Sequence, residues 1–195
     1  MLTFVWDIDD VLNDLMQSWF AEEWLPAHPE CRVTYSGLLQ NPPHRVLGIS
    51  IEEYFASLDA FRLSEKARRM QPNLSILQWF QAHGARHRHM ALTARPLETT
   101  PPLAEWLFRH FGSYLRNFGV VPTRIANGAP RYDNDKGDYL RWFGRADCLI
   151  DDSEENIAAA RSLGIGSVLY PQPWNSGTAT VDDTLRRLAA LAEAN

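Results

Sequence analysis

The chain has 195 residues, 45% of them hydrophobic, enough for one full core and a small inserted subdomain. A formal net charge of −5 argues against a nucleic-acid polymer as the main partner, which calls for a basic surface, but allows a small phosphorylated ligand in a local cationic pocket. There is no basic N-terminal region followed by a long apolar stretch, and no apolar run of membrane-spanning length, so a soluble cytoplasmic protein without a membrane partner is expected.

The apolar run Leu2 to Trp6 suits a buried parallel strand, and it ends in Asp7-Ile8-Asp9-Asp10. Carboxylates are rare inside a core, so such a strand delivers them to the sheet edge where open α/β folds place ligands. Asp7 and Asp9 are two residues apart and would point to opposite faces unless the backbone turns sharply after Asp7. Crowded carboxylates repel, and a divalent cation relieves them. The plainer alternative is that Asp9 or Asp10 caps the helix that follows.

Asn13 to Leu25 carries Leu15, Trp19 and Phe20 at helical spacing and is stopped by Pro26 and Pro29. Residues 26–50 read as irregular, punctuated by Gly37, Pro42-Pro43 and Gly48. Ser50-Ile-Glu-Glu53 is a capping box that opens a helix through Leu58, and Ser64 to Met70 is a further helical piece. Residues 13–71 therefore read as a small, mostly helical insertion. Its aromatic residues Trp19, Phe20, Trp24, Tyr35, Tyr54, Phe55 and Phe61 mostly make the insertion's own core, and a minority line a pocket for a flat ligand.

From Pro72 the pattern regularises. A helix spans Pro72 to His83, with Gly84 just past its end. A strand spans Arg86 to Leu92, with His87-Arg88-His89 as its solvated lead-in, and ends in Thr93-Ala94-Arg95-Pro96. The spacing predicts a long amphipathic helix over Thr99 to Phe118, and a strand over Val120 to Ala126 interrupted by Pro122. A helix from Asp133 to Phe143 stops at Gly144. Asp147 to Ile150 is a strand running into Asp151-Asp152, and it holds Cys148 as a buried free thiol; with Cys31 alone beside it, no disulfide framework or zinc site forms. A helix over Ser153 to Leu163, a strand over Ser167 to Tyr170 and a helix over Val181 to Ala194 complete the chain. Strands alternating with helices in this way imply right-handed crossovers and a doubly wound parallel sheet, an α/β fold.

In such a sheet the strand ends meet at one edge. The first brings Asp7 and Asp9, the second Thr93 and Arg95, and the fourth Asp151 and Asp152; Lys136 opens the helix before the fourth. Several carboxylates without a His/Cys cluster suit Mg²⁺, while Thr93, the neighbouring backbone N–H groups (Ala94) and Lys136 suit phosphate oxygens. Arg95 either binds substrate phosphate or fixes the loop by pairing with a carboxylate. Lys136, among Asp133, Asp135 and Asp138, has a surface charge as its plainer reading, and Thr93 a helix cap.

These four stretches, Asp7-Ile-Asp9-Asp10-Val11, Leu92-Thr93, Lys136 and Leu149-Ile-Asp151-Asp152, resemble in kind and order the four motifs of the haloacid dehalogenase (HAD) superfamily of phosphohydrolases. The resemblance implies a Rossmann-like core over residues 1–12 and 72–195, with residues 13–71 as a small helical cap that closes over the site. It implies that Asp7 is the nucleophile forming an aspartyl-phosphate, and that Asp9 is the general acid and then the base. Thr93 and Lys136 would hold the phosphoryl group. Mg²⁺ would be bound by Asp7, the Asp9 backbone carbonyl and the Asp151/Asp152 pair. Because Asp9 is present, attack on carbon is not expected. The inserted cap, Thr93-Ala-Arg-Pro96 and Gln172-Pro-Trp-Asn175 are similar to the 5'(3')-deoxyribonucleotidase branch, although Asp10 stands where that branch often has Gly. The expected activity is thus a Mg²⁺-dependent phosphomonoesterase with a (deoxy)nucleoside monophosphate as substrate. Another small phosphomonoester such as a sugar phosphate, transfer to an acceptor other than water, and a catalytically silent binding protein are the alternatives.

Overall fold

The computed structural model describes residues 1–124 and 130–194. Its five strands are β1 (Thr3–Trp6), β2 (Arg88–Arg95), β3 (Leu115–Pro122), β4 (Cys148–Asp151) and β5 (Gly166–Leu169). All pair in parallel, in the order β3-β2-β1-β4-β5. The chain therefore starts in the centre, builds outward on one side, then returns to build on the other. The order reverses around β1, and in open sheets the crevice for a ligand lies at the carboxyl end of such a switch point. Asp7 sits at that point.

Among the described residues the principal helices are α1 (Leu15–Trp19), α2 (Ile51–Leu63), α3 (Glu65–Arg69), α4 (Leu74–His83), α5 (Thr100–Phe111), α6 (Lys136–Phe143), α7 (Glu154–Ser162) and α8 (Val181–Glu193). The period-2 alternation of β1 sorts the core into two layers. Phe4 and Trp6 face α4, α5 and α8 through Trp79, Phe80, Trp106, Leu107 and Leu188, whereas Val5 faces α6 and α7 through Leu140 and Ala160. A third cluster, built on Leu15, Trp19, Phe20, Trp24, Tyr54, Leu58 and Phe61, draws its buried residues from 15–70, with Trp174 packed against it. The chain leaves and rejoins the sheet at one neck, where Asn13 bridges Pro72 and the Asn73 amide donates to the Leu12 carbonyl at 2.9 Å.

The structure departs from the sequence expectations at several places. The helix expected to reach Phe118 ends at Phe111, and residues from Leu115 are already β3. The Gly112 amide closes the last turn onto the Phe108 carbonyl, and β3 then pairs with β2 from His89 to Arg95, a gain that local periodicity does not register. The strand expected over 120–126 is the end of β3, which stops at Pro122; positions 125 and 126 lie outside the described residues. The second strand runs on to Arg95, so Thr93 lies within it rather than after it. His87 and His89, expected in solvent, are buried: each offers Nδ1 to an N–H (Leu2, Trp6) and its other ring nitrogen to a carbonyl (Ala192, Gly84). The helix expected from Asp133 starts at Lys136, because the Asp135 side chain caps it by accepting from the Asp138 amide. The helix opened by the Ser50 cap continues past Leu58 to Leu63, and the one expected over 13–25 is broken after Trp19 by a wide π-type turn, Phe20–Trp24. Among the described residues no helix is long and apolar enough to cross a membrane.

Candidate active site

The backbone after β1 does turn sharply. The Asp7 amide completes the sheet by donating to the Ile150 carbonyl at 2.8 Å, and Ile8–Leu12 then form a wide π-type turn. Within it Asp9 is extended (φ −70°, ψ 122°) and Asp10 is left-handed (φ 65°, ψ 15°). A left-handed conformation favours Gly, with Asp and Asn the next most tolerant residues, so Asp10 can hold this turn. The Asp10 carboxylate accepts from the Met16 amide, in the first turn of α1, at 2.8 Å, while Asn13 Oδ1 accepts from the amides of Asp10 and Leu15. The plainer reading, with Asp9 or Asp10 as the N-cap, does not hold, because the N-cap position of α1 is Asp14 and Asp10 reaches its first turn from outside the helix. The same turn leaves Asp7 and Asp9 free to face one cavity.

Lys136, the first residue of α6, is almost wholly buried between two carboxylates. Its Nζ lies 2.7 Å from Asp7 Oδ1 and 2.7 Å from Asp151 Oδ2. Burial alone would discharge the ammonium, but Asp151 and then Asp7 outweigh it and raise its pKa above the ordinary lysine value. Asp151 is completely buried, and its Oδ1 accepts from the Ser153 amide and Asn156 Nδ2 at 2.9 and 3.0 Å. Asp152 accepts at Oδ2 from the Trp174 indole N–H at 2.7 Å. Thr93 is buried beside them, and its hydroxyl has no protein partner.

Asp9 is held separately. Arg95 Nη2 lies 2.7 Å from both of its oxygens, and Arg62 Nη2, from α2, lies 3.3 Å from Oδ2. Burial favours the neutral acid, but Arg95 and then Arg62 hold the Asp9 carboxyl below the usual carboxylate range. Arg95 is itself buried and also donates to the Thr99 carbonyl, so of the two alternatives for this residue the structure displays the carboxylate pair. Ala94, beside Thr93, lines the cavity.

That cavity, of about 390 Å³, has Asp7, Thr93, Lys136 and Asp152 on one side and Tyr54, Phe55, Leu58 and Arg62 of the insertion on the other. Arg124 and Trp174 complete its rim. Trp19, Phe20, Trp24 and Phe61 are buried in the insertion's own core, as expected of most of its aromatics; Tyr54 contributes to both core and cavity wall.

A carboxylate oxygen from each of Asp7, Asp151 and Asp152 falls within 4.8 Å of the others. Burial raises the Asp7 pKa well above the ordinary range, with Asp151 and Asp152 adding to the shift against Lys136. Burial, then Asp151 and Asp10, push Asp152 up to about 8. With all three ionised, three carboxylates against one ammonium would leave a formal charge of −2 in a buried site, a state that the raised Asp7 and Asp152 pKa values oppose without a cation. An all-oxygen donor set of that charge fits a hard divalent cation. Asp151 already accepts three hydrogen bonds, whereas Asp152 accepts one, so Asp152 Oδ1 has the most capacity for a further contact. The Asp9 carboxylate stands outside the triad, engaged by its two arginines.

Each strand-end residue singled out from the sequence thus reaches this region. Arg62 and Arg124 were missed, because a lone arginine in an amphipathic helix or after a strand carries no local signal. Trp174 was visible only as part of Gln172-Pro-Trp-Asn175. That segment is tied to the site by Gln172 Nε2 donating to the Asp10 carbonyl at 2.6 Å and Asn175 Nδ2 donating to the Asp152 carbonyl at 2.9 Å.

No known protein family is matched by the sequence, and no curated protein is similar enough to count as a relative. Solved structures are similar in fold. A HAD-superfamily hydrolase of subfamily IA, variant 1, from Geobacter sulfurreducens is 18% identical, with 98% of this chain and 96% of that chain covered and a TM-score of 0.55. The HAD hydrolase YfnB from Bacillus subtilis, a structure bound to magnesium, is 14% identical over 98% of each chain, with a TM-score of 0.58. Protein Tyrosine Kinase A from Mycobacterium tuberculosis is 17% identical, with 95% and 97% covered and a TM-score of 0.60. The chain has the HAD-like α/β fold, on which proteins of different named activities are built.

Proposed function

We propose that the chain is a Mg²⁺-dependent phosphomonoesterase that works through an aspartyl-phosphate on Asp7, with a (deoxy)nucleoside monophosphate as its substrate. The observation that carries this reading is the arrangement of Lys136 between Asp7 and Asp151 beside the unpartnered hydroxyl of Thr93, at the floor of a cavity with aromatic walls. A buried hydroxyl without a partner costs about 1–3 kcal/mol, a cost removed by a phosphate oxygen placed there. The partner is thus a small phosphorylated metabolite.

Asp7 Oδ1 is oriented by Lys136 and by the Ile8 amide at 2.7 Å, which leaves Oδ2 as the attacking atom. A bond forms from this oxygen to phosphorus while the bond from phosphorus to the leaving oxygen breaks, its electron pair staying on that oxygen with a proton that Asp9, ionised in its pairs with Arg95 and Arg62, must first take from water. Asp9 then takes a proton from water as the water oxygen bonds to phosphorus. The phosphorus bond to Asp7 breaks, and the carboxylate and inorganic phosphate are released. Thr93 and Lys136 hold the phosphoryl oxygens through both displacements. Asp7, Asp151 and Asp152, with Asp152 the direct ligand of the pair, would hold Mg²⁺, which supplies charge neutralisation at the transferring phosphoryl group. Phe55, backed by the buried Tyr54, offers an aromatic face to the base of a nucleotide.

Phosphate release from nucleoside and deoxynucleoside monophosphates and sugar phosphates, with Mg²⁺ or EDTA, tests the reading. Turnover that needs Mg²⁺ and is abolished in Asp7→Asn supports it. Preference for a sugar phosphate corrects the substrate but keeps the chemistry. No turnover of any phosphoester, with Mg²⁺ and phosphate still bound in calorimetry, makes the chain a binding protein.

A further inference from the structure

Asp9 is gripped from two parts of the molecule. Arg95, at the end of β2, reaches both carboxylate oxygens through Nη2. Arg62 comes from α2 of the insertion. It is placed by Asp59, one turn earlier, which accepts from Arg62 Nη1 at 3.0 Å and also pairs with Arg124 after β3. The Arg124 guanidinium lies over the Phe55 ring, 5.4 Å from its centroid. Charges therefore alternate along Arg95, Asp9, Arg62, Asp59 and Arg124, in a relay that leaves the sheet, crosses the insertion and returns.

Two features separate this relay from ordinary surface pairing. The side chains of Arg62, Asp9 and Asp59 are only 10%, 14% and 17% exposed, so solvent screens them little. Arg62 Nε is also buried without a partner. A buried arginine with an orphan donor is a costly way to pack a helix, and an aliphatic residue of similar volume serves a core better.

We infer that Arg62 is a positioning residue for Asp9, supplied by the insertion, so that the acid–base carboxylate is fully oriented only when α2 lies over the site. The inference rests on the phosphomonoesterase reading, in which Asp9 gives a proton to the leaving oxygen and later takes one from water. Its consequence depends on the leaving group. An alkoxide needs the proton from Asp9 as its bond to phosphorus breaks, whereas p-nitrophenolate departs with its electron pair unprotonated. Both substrates need Asp9 in the second step, when water is activated.

The test compares wild type, Arg62→Met and Arg62→Lys on a nucleoside 5'-monophosphate and on p-nitrophenyl phosphate, with Mg²⁺, in burst and steady-state phases. Arg62→Met is expected to lower kcat on the nucleotide about 100-fold, the scale of a misplaced acid–base group, with KM nearly unchanged. The first-turnover burst of p-nitrophenolate stays and the slow second step accumulates aspartyl-phosphate. Arg62→Lys recovers part of kcat. A raised KM with kcat unchanged would instead make Arg62 a substrate contact, and an equal loss of burst and steady state would make it merely structural; either overturns the inference. A urea double-mutant cycle between Arg62→Met and Asp9→Asn reads the contact without catalysis, and coupling of less than about twofold in the folding constant also overturns it. If the coupling is present but wild type turns over no phosphoester, the phosphomonoesterase reading fails and the catalytic role with it, while orientation of Asp9 by Arg62 stands.

Discussion

His89 sits on β2 inside the aromatic layer, stacked on Phe4 and in edge contact with Phe80. The Trp6 indole can only donate, and it points at His89 Nδ1 from 3.1 Å, so the proton of the neutral ring is on Nε2, which donates to the Gly84 carbonyl at 2.9 Å. Protonation would set N–H against N–H in a dry layer. Burial first, and the neighbouring His87 to a lesser extent, lower the His89 pKa from 6.5 to about 4. The unfolded chain therefore takes up the proton before the folded one, and stability that is complete above pH 6.5 is lost as pH falls toward 4. At about 1.4 kcal/mol per unit, the loss from about pH 8 to about pH 5 is ~2 kcal/mol, approaching ~3 kcal/mol near pH 4. Urea unfolding of wild type and His89→Asn at the two pH values measures it. Asn can keep an acceptor toward Trp6 but cannot titrate. The variant is less stable at pH 8, and its loss on acidification is smaller than that of wild type by about 2 kcal/mol, since His87 and the carboxylates contribute alike to both. Equal losses in the two proteins would refute the argument.

Three further outcomes are expected. Lys136→Met leaves two carboxylates in a dry site without their cation, so phosphate release falls at least about 100-fold and urea stability by about 3 kcal/mol; a loss of activity under tenfold would remove Lys136 from the machinery. Trp174→Phe keeps the ring but removes the N–H that orients Asp152, and calorimetry should show Mg²⁺ bound about 10- to 100-fold more weakly; unchanged affinity would mean that Asp152 is not the direct ligand. At Gly119 an added Cβ lies 2.6 Å from the Tyr139 ring and 2.7 Å from Met90 Cε, so Gly119→Ala pushes α6 from β3. Both obstructing groups are side-chain ends that can give way, so the cost in urea unfolding is about 1 kcal/mol.

Much of the site was legible because parallel α/β folds place chemistry just beyond buried strands. An apolar run that stops in Asp7-Ile-Asp9-Asp10, and another that stops in Asp151-Asp152, announce both the strand and the end at which the candidate site lies. The same logic placed Thr93, though in the last turns of β2 rather than after it. Local patterns failed where a distant partner decided. Residues 112–118 extend a helical pattern until β2 offers the edge from His89 to Arg95. His87 and His89 are polar in sequence and buried in the fold, because Trp6 and the Gly84 and Ala192 carbonyls satisfy them.

The alternation of short apolar runs and amphipathic helices was sufficient, by itself, to specify a doubly wound parallel sheet and to bring four segments to one edge, since hydrophobic periodicity and crossover handedness are local or near-local constraints. Only the tertiary structure decided what each polar group does there. It turned the backbone at Asp10 so that Asp7 and Asp9 share a cavity, and set Lys136 between Asp7 and Asp151. It also gave Asp9 to Arg95 and Arg62. Electrostatic partnership depends on distance in space and on exclusion of water, neither of which is written in the spacing of residues along a chain.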